Sequence, residues 1–203
     1  GFSYTAHYYT DNRNLPKNRK DHSFRFSGIL FTFTTDNGVF SKTGIDYGSE
    51  VLLKSVCREP IEGKVLDMGC GYGTFGVVIQ KLNPSCSVVS VDVNPRAVEL
   101  TGINSQQNGL DLNAFVSDGF ESVEGTFDHI VSNPPIRAGK KVIYKMFEDA
   151  YMHLNEGGLF TIVIRKQQGA ESAVKKLNEL FNNCEVIDRD KGYWILQSSK
   201  LTG

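Results

Sequence analysis

Long apolar runs are missing from this chain. No stretch approaches the about 18 consecutive apolar residues that a membrane helix needs, and the segment after Gly1 has no apolar core of the kind a secretory leader carries. Cysteine is scarce too. The four present, Cys57, Cys70, Cys86 and Cys184, are widely separated, include no C-x-x-C pair and share no metal-ligand spacing with His7, His22, His129 and His153. A disulfide scaffold and a zinc site are thereby excluded, no metal and no membrane partner are expected, and reduced thiols predict a cytoplasmic location. Net charge is also nearly absent: 22 Lys and Arg against 23 Asp and Glu leave −1 at pH 7. No global polybasic field draws in nucleic acid, so any such contact must be local. Internal repeats and low-complexity segments are lacking. The first residue is Gly1 and not methionine, which leaves open whether residues precede it.

What is there is enough apolar mass for one core. At 203 residues and 40% hydrophobic, a second full domain does not fit. Residues 1–23 read as a basic arm, with Arg13, Lys17, Arg19, Lys20 and His22 crowded around Pro16. Residues 24–203 read as the folded domain, opening on a β-hairpin extension over 24–45. Phe24 to Phe33 is rich in β-branched and aromatic residues, and Asp36-Asn37-Gly38 supplies a turn before Val39-Phe40. Asp46 or Ser49 is placed to cap a helix through Val51, Leu52, Leu53 and Val56.

Beyond Pro60 and Gly63 the pattern alternates. Strands are predicted at 64–68, 86–92, 112–117, 127–132, 159–165, 184–188 and 193–199. Helices are predicted at 74–83, at 95–108 behind Asn94 and Pro95, at 140–154 with Gly157-Gly158 as the stop, and at 169–182. Such alternation gives a mostly parallel sheet with helices on both faces. Arg189 to Gly192 is too short for a parallel crossover, so the last two strands must pair antiparallel. The expected fold is α/β: a doubly wound, Rossmann-like seven-stranded sheet with an antiparallel C-terminal hairpin.

Two loops carry the chemistry. Asp67-Met68-Gly69-Cys70-Gly71-Tyr72-Gly73 follows one strand, with alternate glycines that turn sharply and admit a ligand close to the backbone. Gly71-Tyr72-Gly73-Thr74-Phe75-Gly76 is also a literal G-x-G-x-x-G, and Asp92, about 20 residues on, suits the ribose of either a dinucleotide or another nucleoside. Asp67 separates the two, since a carboxylate leading into the loop repels a pyrophosphate but suits the ammonium and sulfonium of S-adenosylmethionine. The second loop, Asn133-Pro134-Pro135-Ile136, also ends a strand. Its prolines remove two N–H donors, leaving the Asn133 side-chain oxygen and the Pro134 carbonyl to accept the two hydrogens of an amine. Methyl transfer from a sulfonium needs no strong base, so positioning and acceptor dipoles are the main protein contributions. Read alone, Asn-Pro-Pro is equally a stiff turn.

With these residues in view, the chain resembles the small-domain class I methyltransferases, and is similar to the catalytic half of bacterial small-subunit ribosomal RNA guanine-N2 methyltransferases. The resemblance runs from about Gly28 to near the C-terminus, through Gly38-Val39-Phe40-Ser41, Asp46-Tyr47-Gly48-Ser49, the Asp67–Gly73 loop, Val91-Asp92-Val93-Asn94 and Ser132 to Gly139. It implies that Asp67, Gly69 and Gly71 hold the amino-acid end of S-adenosylmethionine, with Cys70 beside them. Asp92 with Val93 would hold the ribose, and Asp118 the adenine amine. Asn133, Pro134 and Pro135 would form the catalytic loop, with Asn133 also bordering the cofactor. Phe40, Ile136, Arg137, Lys140 and Lys141 are the implied substrate contacts. Phe40 is equally read as a buried aromatic, and the cations equally as a solvated helix face. Where many relatives carry an aromatic after Asn-Pro-Pro, this chain has Ile136, which weakens base stacking there. The resemblance implies S-adenosylhomocysteine as product and ribosomal RNA or the small ribosomal subunit as partner; the sequence leaves the oligomeric state open, with a monomer favoured. A protein glutamine amide or an adenine amine remains open as acceptor, as do an NAD-dependent oxidoreductase and a non-catalytic RNA- or cofactor-binding module.

Overall fold

The computed structural model describes residues 18–36 and 46–202. Strands β1 (Lys20–Phe26) and β2 (Ile29–Thr35) form a separate antiparallel hairpin. The main sheet comprises β3 (Lys64–Met68), β4 (Ser87–Asp92), β5 (Asn113–Val116), β6 (Phe127–Ser132), β7 (Leu154–Arg165), β8 (Glu185–Asp190) and β9 (Tyr193–Ser199), in the order β5-β4-β3-β6-β7-β9-β8. Strands β3 to β7 are mutually parallel, and β9 runs antiparallel to both β7 and β8. This is the doubly wound sheet with an antiparallel end that the sequence predicts. No helix among the described residues is long and apolar enough to cross a membrane.

The inner strands are apolar on both faces because each face meets helices. Val65, Val88, Val131, Val163 and Ile195 face α1 (Tyr47–Val56), α2 (Thr74–Leu82), α3 (Pro95–Gln107) and the hairpin. Their chain neighbours Leu66, Val89, Ile130, Ile162 and Leu196 face α4 (Lys140–Met152) and α5 (Ala170–Phe181). Successive residues of a strand point to opposite faces, so a single apolar run feeds two cores.

Chain direction positions the site. From β3 the chain moves outward through β4 to β5, then returns to β6 on the opposite side of β3. Connections leaving β3 and β6 therefore diverge, and a crevice opens between them at the carboxyl ends of the strands. Met68 stands opposite Ser132, whose hydroxyl donates to the Met68 carbonyl at 2.9 Å.

Three expectations are corrected. The hairpin turns at Ser27-Gly28, where φ is 50° and 78°, the paired left-handed geometry of a tight hairpin turn. Its first strand begins at Lys20, so Lys20 to Ser23 belong to a strand and not to the arm. Asp36 does not form the turn of this hairpin: it is buried beyond the end of β2, within 3.7 Å of the Arg96 guanidinium and 3.5 Å of that of Arg19. Residues 1–17, the rest of the arm, and 37–45, with Asn37, Gly38 and Val39, lie outside the described residues. Lastly, the fourth helix after the hairpin stops at Met152, and β7 already starts at Leu154. Gly157 and Gly158 do not punctuate the helix; they lie within β7 beside a register shift against β6, Gly157 with φ 79° and Gly158 where a Cβ would sit 2.8 Å from the Asn155 carbonyl.

Side-chain amides of α3 complete the hairpin. Thr34 donates its N–H to Asn104 Oδ1 at 2.7 Å, and Asn104 Nδ2 donates to the carbonyls of Thr34 at 3.0 Å and Tyr72 at 2.6 Å. Asn108 exchanges the same pair of bonds with Thr32 at 3.1 and 2.9 Å. Two asparagines thus stand in for a neighbouring strand along β2. Asn104→Ala leaves buried backbone groups unpaired and is expected to cost about 2–4 kcal/mol in urea unfolding. A loss below about 0.5 kcal/mol would mean that these bonds are replaced on truncation.

Candidate active site

The loop leaving β3 is shaped by three left-handed glycines, Gly69, Gly71 and Gly73, with φ of 82°, 56° and 102°. Gly69 and Cys70 both donate their N–H to the Val91 carbonyl, at 2.9 and 2.8 Å, which folds the loop over the end of β4. Gly71 donates to Asp92 Oδ2 at 2.9 Å, and Asn94 donates to Asp92 Oδ1 at 2.9 Å. The Asp92 carboxylate therefore ties both loops together and keeps further lone pairs toward the cleft it lines. At Gly73 a Cβ would press on the Thr101 backbone at 3.2 Å, whereas at Gly69 and Gly71 it would meet nothing. The glycines at those two positions answer the backbone angle, and the space beside them is left for a ligand.

Asp67 lies beneath this loop, fully buried, and neither carboxylate oxygen completes a hydrogen bond. Burial pushes its carboxyl up to about 7; the Gly76 N–H pulls weakly the other way, and Asp92 adds repulsion. Burial likewise raises Asp92 to about 6, against the pull of the Asn94 and Gly71 N–H groups. Two poorly neutralised carboxylates at the base of one cleft suit a cation above them. Cys70 lines the cleft and accepts from the Thr101 hydroxyl at 3.3 Å; burial pushes its thiol well above the ordinary range, so it is no nucleophile.

Across the crevice, Asn133, Pro134 and Pro135 form the opposite wall, and Val93, Ser117 and Gly119 line the far end. The cleft is open to solvent and encloses about 1100 Å³ when the space at its mouth is counted. Asp118 has its neighbours in the lining and a buried, unpartnered Oδ1. Asp46 and Ser49, read from sequence as helix caps within a family motif and not as site residues, also line the cleft. Asp46 does cap α1, accepting from the Ser49 N–H at 3.0 Å, and Ser49 Oγ accepts from Asn133 Nδ2 at 3.4 Å.

Other predicted residues stand apart. Asp67 itself is under the cleft and not in its lining. Ile136 opens a short 3-10 turn and packs against the α4–α5 core, away from the cleft. Arg137, Lys140 and Lys141 are exposed beyond it, Lys140 lying 5.8 Å from the Tyr144 ring. Phe40 lies outside the described residues. Orphaned oxygens on Asp67 and Asp118, a glycine cradle and free lone pairs on Asp92 fit S-adenosylmethionine.

The family described as methyltransferase small domain matches residues 30–197. The chain belongs to the methyltransferase small domain family. It is an S-adenosylmethionine-dependent methyltransferase, and the dinucleotide reading of the glycine loop is set aside. Uncharacterized protein YbxB of Bacillus subtilis is 43% identical over 200 residues, 97% of this chain and all of that one. Ribosomal RNA small subunit methyltransferase C of Aeromonas hydrophila is 41% identical over 169 residues, 79% of this methyltransferase and 47% of that protein. The solved structure of the T. thermophilus 16S rRNA N2 methyltransferase RsmC, in complex with AdoMet and guanosine, is 27% identical with a TM-score of 0.82, covering 92% of this chain and 52% of that one. The methyltransferase thus spans about half the length of these RNA-modifying relatives.

The raised carboxyls give a pH dependence of defined sign. Unfolded Asp67 ionises near 3.8 and folded Asp67 near 7, so between these values the folded protein holds the extra proton, and its stability falls as pH rises. A cation in the cleft reverses this by favouring the ionised form. S-adenosylmethionine binding at about pH 6 is therefore expected to release protons, seen in calorimetry as a dependence on buffer ionisation heat that Asp67→Asn reduces. Binding heats that are the same in all buffers would contradict this account of the site.

Proposed function

We propose that this methyltransferase acts on an exocyclic amine, the N2 of guanine in small-subunit ribosomal RNA, in the cytoplasm. One observation carries the reading: the glycine loop with Asp92 and the Asn133-Pro134 loop leave adjacent strands in register and form two walls of one cleft. A methyl donor and a planar amine are thereby given facing sites. The ribosomal RNA methyltransferase names of the relatives, and the guanosine in the T. thermophilus complex, support the choice of acceptor.

In this reading Gly69, Cys70 and Gly71, over the Asp67 charge, would hold the amino-acid end of the cofactor, Asp92 and Val93 the ribose, and Asp118 the adenine amine. When bound, S-adenosylmethionine supplies an electrophilic methyl group on a sulfonium. Asn133 Oδ1 and the Pro134 carbonyl would accept the two amine hydrogens and so aim the nitrogen lone pair across the cleft. Pro134 and Pro135 contribute no N–H, which removes two backbone donors that would compete for those acceptors. As the nitrogen takes the methyl, the sulfonium carbon–sulfur bond would break to leave the neutral thioether. Positive charge growing on the amine would be favoured by both acceptor dipoles more than in the ground state, and one amine hydrogen would then leave as a proton to water. Ile136 is aliphatic and packs, partly buried, against the α4 side of the core, so base stacking would come from another side chain. Arg137, Lys140 and Lys141 would meet phosphates and set register without reading sequence.

Labelled S-adenosylmethionine supplied with separated ribosomal subunits, free ribosomal RNA and ribosomal protein tests this directly. Label is expected in small-subunit RNA, recovered after digestion as N2-methylguanosine. Label confined to a protein glutamine or to adenine would overturn the assignment. Asn133→Ala is expected to keep S-adenosylmethionine affinity near wild type while turnover drops on the order of 10²–10³-fold. If affinity and turnover fell together, Asn133 would be a turn residue only.

A further inference from the structure

We infer that Asp46 and Ser49 are positioning residues that fix which way round the Asn133 carboxamide points, and so tune the site to acceptors bearing an NH₂ group. The inference rests on the amine-holding role proposed for Asn133. An asparagine side chain is nearly symmetric in shape but has opposite polarity at its two ends, and only its hydrogen-bond partners decide which end faces a ligand. Turned one way, Asn133 offers an acceptor to the target amine. Turned the other, it offers two N–H groups to a nitrogen that is itself a donor, and transfer stops.

The polarity is set by a chain of bonds with one direction. Ser49 Oγ lies 2.9 Å from Asp46 Oδ2, and a carboxylate can only accept, so the single hydroxyl proton of Ser49 is committed there. Ser49 Oγ can then only accept from Asn133, whose Nδ2 lies 3.4 Å away. Oδ1 is left as the end free for the cleft. Asp46 is itself held, because its other oxygen accepts the Ser49 N–H at 3.0 Å as the cap of α1. The helix end is held too: a Cβ at Gly48 would come within 2.8 Å of the Tyr193 ring of β9, so α1 starts in close contact with the sheet. The long 3.4 Å step leaves room for Asn133 to tighten when substrate arrives.

Asp46→Asn distinguishes this device from a mere cap. Asparagine also caps helices well, so α1 keeps its start. Its NH₂, however, donates to Ser49 Oγ and frees the Ser49 proton for Asn133, which inverts the relay. Turnover on the RNA substrate is expected to fall by roughly 10- to 100-fold in Asp46→Asn and in Ser49→Ala, with S-adenosylmethionine affinity unchanged and with Ser49→Thr restoring the rate. A second readout needs no substrate. In protein labelled with ¹⁵N-asparagine, the Asn133 side-chain signal, assigned by its loss in Asn133→Asp, is expected to shift in Ser49→Ala and return in Ser49→Thr. Wild-type turnover in both Asp46→Asn and Ser49→Ala, a parallel loss of cofactor affinity, or an unmoved Asn133 signal would each overturn the relay. A wild-type protein that methylates no RNA, together with a shifting Asn133 signal, would instead overturn the function proposed above and leave the relay standing.

Discussion

Everything at the cleft hangs on the pairing of β3 with β6, where Met68 stands opposite Ser132 and the Ser132 hydroxyl closes on the Met68 carbonyl. These strands are 59 or more residues apart in the chain, yet they end at the same level and feed two diverging loops. The apolar runs that bring them together are indifferent to chemistry. Val65, Leu66, Ile130 and Val131 are fully buried simply because helices cover both faces of the sheet. What the pairing creates is a fixed separation between the glycine-loop wall and the Asn133-Pro134 wall of the cleft. A one-residue slip would turn every side chain of β6 to the opposite face and carry Asn133 out of line.

The same pairing buries Asp67, flanked in register by Ser90 and Val131, with no hydrogen bond to offset its desolvation. Without ligand this is a local conflict, relieved by protonation as the carboxyl rises to about 7. With a cation above it the conflict becomes attraction. Asp92 is treated differently: it too is buried, but two backbone N–H groups reach it, and through them it holds the glycine loop against α3. One carboxylate works through its field and the other through its contacts.

Much of this was legible in the sequence, and the reasons for success and failure are physical. The inner strands and the helices α2, α3 and α5 were predicted to within a residue or two, because uniform apolar runs and caps such as Asn94-Pro95 are local signals. The hairpin was recognised but its turn misplaced. Asp36-Asn37-Gly38 carries the stronger turn composition, yet Asp36 is drawn inward by Arg96, a residue 60 positions away. Gly157-Gly158 looked like a stop and is part of an irregular stretch of strand, a distinction that depends on the register of β6. In the site, Asp92, Gly71, Cys70 and Asn133 were identified from motifs. Asp46 and Ser49 were read as caps and as part of the family motif but not as partners of Asn133, since the Ser49 contact with Asn133 spans 84 residues and exists only once α1 is packed against β7 and β9. Ile136 was implied as a substrate contact from its place after Asn-Pro-Pro; in the fold it opens a 3-10 turn and packs, partly buried, against the α4 side of the core.

The central claim is that two loops from one strand pair present a cofactor site and an amine-accepting site to each other. A crystal structure of this protein with S-adenosylhomocysteine and guanosine tests it most directly. The account predicts the nucleoside base between the two walls, its exocyclic N2 donating to Asn133 Oδ1 and to the Pro134 carbonyl, with the Asn133 amide nitrogen turned to Ser49. A base held through a ring nitrogen with its exocyclic amine facing away from Asn133, or bound outside the cleft altogether, would contradict it.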